Sequence, residues 1–293
     1  MTITATMVKE LRERTGSGMM ECKKALAETQ GDLEAAVELM RKAGLAKADK
    51  KSGRTAAEGT ISIQVSDDAH RAAIVEVNCE TDFVGKGEDF LAFCDAVART
   101  VLASDAASPE ALSEQTLAGG QATVEQVRRE LIAKIGENIS VRRFARFDSA
   151  NGLVAAYRHG SRIGVLVEFT GDATVGKDVA MHVAASKPVC VDETGVPADV
   201  IAKEREIFAA QAEASGKPAN IVEKMVDGRI KKFLGEVTLL GQPFVKDPEQ
   251  TVAQLLKAKG SEVMRFVRFE VGEGIEKVES NFAEEVMAQV RGS

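Results

Sequence analysis

A four-element pattern occurs twice along the chain, and that repeat limits the possible folds more than any single motif does. Thr60-Ile61-Ser62-Ile63-Gln64-Val65 alternates as a strand should, and after Asp67-Asp68 a second strand follows over Ala72–Val77. A helix comes next, with Phe90, Phe93, Ala96, Val97 and Val101 on its apolar side. The plan then recurs: Val154–Tyr157 turns through His159-Gly160 into Ile163–Glu168, and a helix carrying Val179, Met181, His182 and Ala185 follows. The closing halves also match. Thr123-Val124-Glu125-Gln126 opens a helix leading to Val141–Phe147, and Thr251-Val252-Ala253-Gln254 opens one leading to Val263–Phe269. Both final strands read V-x-R-F-x-R-F, with Val and the two Phe at i, i+3 and i+6. These three cannot share one strict period-2 face, so a bulge or burial on both faces is implied. Four elements in the same order predict two related α+β subdomains, each a small antiparallel sheet packed on helices. They fall at 60–150 and at 151–196 with 234–274.

Other segments frame this core. Over 1–46, Val8, Leu11, Met19, Cys22, Ala25 and Leu26 are spaced for helices, Thr15-Gly16-Ser17-Gly18 breaks the first helix and caps the second, and Asp32 caps a third. Three short helices resemble a ubiquitin-associated-type bundle. Met19-Met20 beside the Gly-rich loop can serve a core or an adaptable binding surface. The polar, basic stretch 47–59 reads as a linker. Residues 197–233 read as an antiparallel helical hairpin turning at Gly216-Lys217-Pro218; it has little to bury alone, so it is expected to meet another chain. A C-terminal helical module occupies 275–293, with its helix over Phe282–Val290. The fold class is therefore α+β, with an N-terminal three-helix module, two repeated sheet-and-helix subdomains, an inserted hairpin and a C-terminal helix.

Chemistry is harder to find. A net charge of −7 would repel nucleic-acid phosphates. Apolar stretches fall short of the roughly 20 residues a membrane helix needs, and the N-terminus lacks a signal-peptide core, so a cytoplasmic protein is expected. Cys22, Cys79, Cys94 and Cys190 show no CxxC pair and no His at metal-ligand spacing, which reads as free thiols. A phosphate-loop motif is missing, so direct GTP binding of that kind is not expected. His70, His159 and His182 lie far apart, and His182 sits on an apolar helix face as a packing residue would.

One segment stands out. Asn78-Cys79-Glu80-Thr81-Asp82-Phe83-Val84 follows a buried strand and precedes a helix that Thr81 or Asp82 can cap. Phe83 can fold back as a staple or project as an anchor; the burial habit of Phe favours the core.

These residues carry a resemblance. Glu76–Val84 is similar to the signature of the elongation factor Ts family, as are Leu11–Leu26, Lys134–Ile139, His159–Gly164, His182–Pro188 and Gly241–Phe244. Glu21 stands where Asp is usual and Gly85 where Ala or Ser is usual; the glycine would loosen a helix start by about 1 kcal/mol. The likeness covers essentially the whole chain. It implies a non-catalytic guanine nucleotide exchange factor, with elongation factor Tu as partner and no cofactor, metal, nucleotide, nucleic acid or membrane of its own. By that resemblance Thr81, Asp82, Phe83 and Val84 form the segment that dislodges Mg²⁺ in the partner, with Phe83 as the wedge. Ile135 and Gly136 are implied beside it, Arg12, Met19 and Met20 grip the partner's GTPase domain, and His159 meets a second region. The hairpin could also make a homodimer.

Overall fold

The computed structural model describes residues 3–213 and 218–276. The C-terminal helix expected over Phe282–Val290 lies outside them, as do Gly216 and Lys217 of the hairpin turn.

The chain opens with α1 (Ala5–Thr15), α2 (Met19–Glu28) and α3 (Leu33–Lys51). They close on Val8, Leu11, Cys22, Ala25, Leu26 and Ala36. Gly16 ends α1 at φ 65°, a left-handed cap that costs a glycine little. Asp32 caps α3 by accepting the Ala35 N–H. The expected side-chain cap on α2 is not made: Gly18 precedes it, and the Thr15 hydroxyl donates back to Leu11 O at 2.7 Å. The helix α3 also runs to Lys51, into the stretch read as linker. Ala and Lys are strong helix formers, and Ala48 is buried against the first sheet unit, so tertiary contact extends the helix.

The first sheet has the order β1 (Glu58–Val65), β2 (Arg71–Cys79), β3 (Ile139–Asp148), all antiparallel. Between β2 and β3 lie α4 (Asp82–Gly85), α5 (Glu88–Ala103), α6 (Pro109–Ser113) and α7 (Val124–Ile135). The second sheet has the order β4 (Leu153–His159), β5 (Ile163–Thr170), β8, also antiparallel. After β5 come α8 (Ala173–Ser186), α9 (Ala198–Glu213), α10 (Ala219–Val237), the short ribbon β6 (Pro243–Phe244) and β7 (Asp247–Thr251), α11 (Val252–Ala258) and β8 (Glu262–Glu270). Helices α9 and α10 pack together through Ala212, Val226 and Ile230, and α10 runs past residue 233 to Val237.

The two units share local devices. Thr123 with Gln126, and Thr251 with Gln254, each form a full capping box. Each closing strand bulges after its first Val. Val77 faces Val141 and Glu76 faces Arg143, leaving Arg142 as the extra residue; Phe169 faces Val263 and Glu168 faces Arg265, leaving Met264 extra. The bulge and two-sided burial both occur: Phe144 packs toward the helices of its unit, Phe147 toward the other sheet.

The sheets stack face to face. Ile61, Ala72, Ile74 and Phe147 of one meet Val154, Leu166 and Phe269 of the other, with helices covering both outer faces. A methyl on Gly164 would lie 2.4 Å from the Ile61 side chain, so glycine sets the closest approach of the sheets. The units also exchange cation–π contacts: Arg143 lies over Phe269 at 4.4 Å and Arg265 over Phe147 at 4.2 Å. At the same level Glu76 is fully buried. Its carboxylate accepts from Gly272 N–H (2.8 Å), Arg142, Arg143 and Asn78. Burial works to raise its pKa, but those donors outweigh it and leave the group below the usual carboxylate range.

Candidate functional site

The strand β2 ends at Cys79, and the chain turns at once. Thr81 takes an extended conformation and its hydroxyl accepts the Val84 N–H at 3.4 Å, capping the single turn α4. Such a short turn has one inward position. Val84 fills it, packing on the core formed by Val77, Phe90 and Phe93, and Gly85 lies buried beneath. Phe83 is thereby turned out and stands 83% exposed. The burial habit of Phe is overturned here because its neighbour holds the only apolar slot. An open groove beside it is lined by Phe83, Val84, Gly87, Glu88, Phe90 and Ile135, so the fold brings Ile135 next to Phe83. Asp82 pairs with Lys86 at 2.7 Å, and that hydrogen bond lowers its pKa.

Side chains absent from the expected set hold this turn. Glu137 accepts the N–H groups of Glu80 (3.2 Å) and Thr81 (3.0 Å) and the Thr81 hydroxyl (2.7 Å). Glu80 in turn accepts the Asn138 N–H at 2.6 Å and pairs with Arg54 at 2.9 Å. The Asn138 amide donates to the carbonyls of Ser52 and Arg54. Their only sequence signal was membership of the two motifs, Asn78–Val84 and Lys134–Ile139.

Gly136 ends α7 in a left-handed cap at φ 86°, and its carbonyl accepts from Lys51 at the end of α3. In the N-terminal module Met19 and Met20 are 60% and 75% exposed at the start of α2, which settles them as surface rather than core. Arg12 is exposed on α1. His159 lies exposed at the β4–β5 turn, stacked on Tyr157, whose hydroxyl is hydrogen-bonded to its Nδ1 at 3.3 Å. That turn belongs to the second unit yet reaches the first: Ser161 O accepts from Ile61 N–H, and Arg162 pairs with Glu58 at 2.5 Å. Gly59, the next residue, lies against Gly85. The start of β1 therefore separates the His159 turn from the Phe83 turn.

Burial governs the other reactive groups whose pKa is shifted. Burial, then the charges of Glu137 and Glu58, push the Cys79 thiol up to about 12, so its nucleophilic thiolate is suppressed at neutral pH. Burial likewise raises Cys94 and Cys190. Buried His182 accepts the Val245 N–H at Nδ1 and so donates from Nε2 to Gln242 Oε1; burial lowers its pKa, as a neutral packing residue requires.

A braced turn that holds an apolar side chain in solvent has the geometry of a protein-contact surface. The family profile described as Elongation factor TS matches residues 80–273. The chain is 74% identical to elongation factor Ts of Methylococcus capsulatus and 65% identical to that of Thioalkalivibrio sulfidiphilus, each over the full length of both proteins. The chain belongs to the elongation factor Ts family.

Proposed function

We propose that this chain binds elongation factor Tu in its GDP state and inserts Phe83 into the GTPase domain, disturbing the groups that hold Mg²⁺ and phosphate so that GDP leaves and GTP can enter. Membership of the family makes it a non-catalytic exchange factor of translation elongation. The wedge reading is carried by one observation: a large apolar side chain, 83% exposed, stands on a turn fixed by hydrogen bonds on both sides. Such an arrangement is costly to keep unless a partner buries it.

The energetics call for several contacts. A nanomolar nucleotide complex is held by about −12 kcal/mol. Burying one Phe supplies about 1.5–3 kcal/mol. Ile135 and Gly136 beside the wedge, Arg12, Met19 and Met20 on the N-terminal module, and His159 beyond β1 supply the rest. By linkage, a partner that weakens nucleotide binding is weakened equally by nucleotide, so GTP entry ejects it. The hairpin α9–α10, with Val200, Ile207 and Ile221 partly exposed, supports a separate contact surface. A second copy of the chain is the occupant we infer for it, and sedimentation at increasing concentration tests that.

Stopped-flow release of a fluorescent GDP analogue from elongation factor Tu tests the exchange reading. The native chain is expected to accelerate release strongly, and Phe83→Ala to lose about ten- to hundredfold of that while melting at the native temperature. Acceleration unaffected by the substitution would move the mechanism off Phe83. No acceleration by the native chain with an active partner would sink the function itself.

A further inference from the structure

The wedge turn stands at the ends of two neighbouring strands. Cys79 and Ile139 are the last paired residues of β2 and β3. Beyond them the backbone ladder stops, and side chains take its place. Glu137, just outside β3, accepts the Glu80 and Thr81 N–H groups, while Glu80, just outside β2, accepts the Asn138 N–H. Each strand end is thus held by the other's carboxylate. The same knot gathers the end of α3: Asn138 donates to Ser52 O and Arg54 O, Arg54 pairs with Glu80, and Lys51 donates to Gly136 O. Two regions proposed to touch the partner, the N-terminal module and the Phe83 turn, are therefore joined through one cluster of hydrogen bonds.

We propose that Glu137 is a positioning residue for exchange: with Glu80, Asn138 and Arg54 it fixes the Thr81–Val84 turn and the end of α3 in one arrangement before the partner arrives. This rests on the wedge reading above. Fixing the turn in advance removes an ordering cost that would otherwise be met during insertion. Glu137 touches neither nucleotide nor Mg²⁺ in this scheme and acts through Thr81. Its three acceptor contacts also predict which replacement is tolerated. In Glu137→Gln one amide oxygen can still take both N–H groups, and the amide nitrogen can donate to the Thr81 hydroxyl. Glu137→Ala loses all three.

The test uses the full chain in native, Phe83→Ala, Glu137→Ala and Glu137→Gln forms. Maximal GDP-release rate and the factor concentration giving half of it are measured with elongation factor Tu, and amide hydrogen exchange is followed in the free proteins. Glu137→Ala is expected to lower the maximal rate about tenfold, since three hydrogen bonds to the turn are lost and act partly on its position. The half-maximal concentration should change much less, the Glu80 and Thr81 amides should exchange faster, and Glu137→Gln should recover most of the rate. A native maximal rate in Glu137→Ala, or unchanged exchange at Glu80 and Thr81, would overturn the proposal. So would Glu137→Gln as slow as Glu137→Ala. If the native chain itself fails to accelerate release, the exchange reading falls, and the amide data alone decide whether Glu137 fixes the turn.

Discussion

The two sheet units are built by one plan and end differently. Both have a three-stranded antiparallel sheet, a capping box before the last strand's helix, and a bulge at the same point of V-x-R-F-x-R-F. In the second unit β5 ends at Thr170, Gly171 turns at φ 101°, and Asp172 caps α8 directly. A single Ser261 hydroxyl, accepting from Asp172 N–H at 3.2 Å, secures that turn. In the first unit an extra turn, α4, separates β2 from α5, and two carboxylates secure it. The contrast sets a plain connection beside an elaborated one. A strand-to-helix connection needs only a glycine and a cap; the longer connection, with its half-buried Val84, exposed Phe83 and side-chain brace, exceeds what folding alone asks.

The Glu–Arg pairs next to the bulges give the sharpest way to break this comparison. Glu76 with Arg143 and Glu168 with Arg265 occupy the same register position. Glu76 and Arg143 are 0% and 31% exposed, whereas Glu168 and Arg265 are 13% and 51% exposed. Chemical denaturation should show Arg143→Met costing about 3 kcal/mol, the low end for a broken buried pair because Arg142 and Gly272 still serve Glu76. Arg265→Met should cost about 1 kcal/mol or less. Each loses one similar cation–π contact, while Arg143 also gives up Glu270 O and Glu273, so the difference reports burial together with those two contacts; equal costs would mean the two units carry the same load.

Glycine positions come next. A Cβ at Gly164 would sit 2.4 Å from Ile61 and 3.0 Å from Ile74, so Gly164→Ala should destabilise by about 1–3 kcal/mol through separation of the sheets. Thermal melting checks this, and an unchanged melting temperature would show that the sheets yield freely.

Acid should act on both units. Glu76 lies below its ordinary value, and Glu270 is lowered from 4.5 to about 2 by Lys187 and then Arg268. A carboxyl with a depressed folded pKa contributes stability above its unfolded value and loses it as pH falls through the folded one. Stability should therefore decline from about pH 4.5 toward pH 2, and Glu270→Gln should flatten that decline. A slope identical to the native chain's would remove Glu270 from the account.

The smallest expected effect is at Gly85. A methyl there would meet Gly59 O at 3.4 Å and Cys79 Sγ at 3.6 Å, ordinary to slightly close contact, and no left-handed φ opposes it. Gly85→Ala should stabilise by about 0.5–1 kcal/mol, with GDP-release rates unchanged. A loss of exchange activity would mean the wedge turn needs the glycine's freedom.

What could be read from the residues was short in range. The helix openings at Thr123 and Thr251, the Asp32 cap and the Gly16 stop each depend on atoms within four positions, and a bulge or burial on both faces followed from a Val and two Phe at spacing three. The core face of α5 was legible for the same reason, because helical periodicity is local; on α8 Val179 and His182 are buried, but Met181 is only partly covered and Ala185 is exposed. Reading failed where distant contact outvoted local habit. The helix α3 extends past the sequence-based boundary because the polar stretch over 46–51 is supported by distant residues: Ala48 is buried on the first sheet unit, Asp49 pairs with Arg129 and Lys51 donates to Gly136 O. Phe83 looked like core because nothing local says that Val84 claims the inward slot. Glu137 carries no pattern of its own; its value comes from Thr81, placed beside it by the pairing of β2 with β3.

The sequence by itself determined the repeat, the element types, their stops and caps, and through its long motifs the family. Tertiary structure alone decided that Arg143 and Arg265 each stack on the last Phe of the other strand motif, that Glu76 is sealed between the sheets, and that Phe83 faces water. Propensity and periodicity are energies of neighbouring residues and are written in the chain. Exposure and long-range pairing exist only once segments more than fifty positions apart have come to lie side by side.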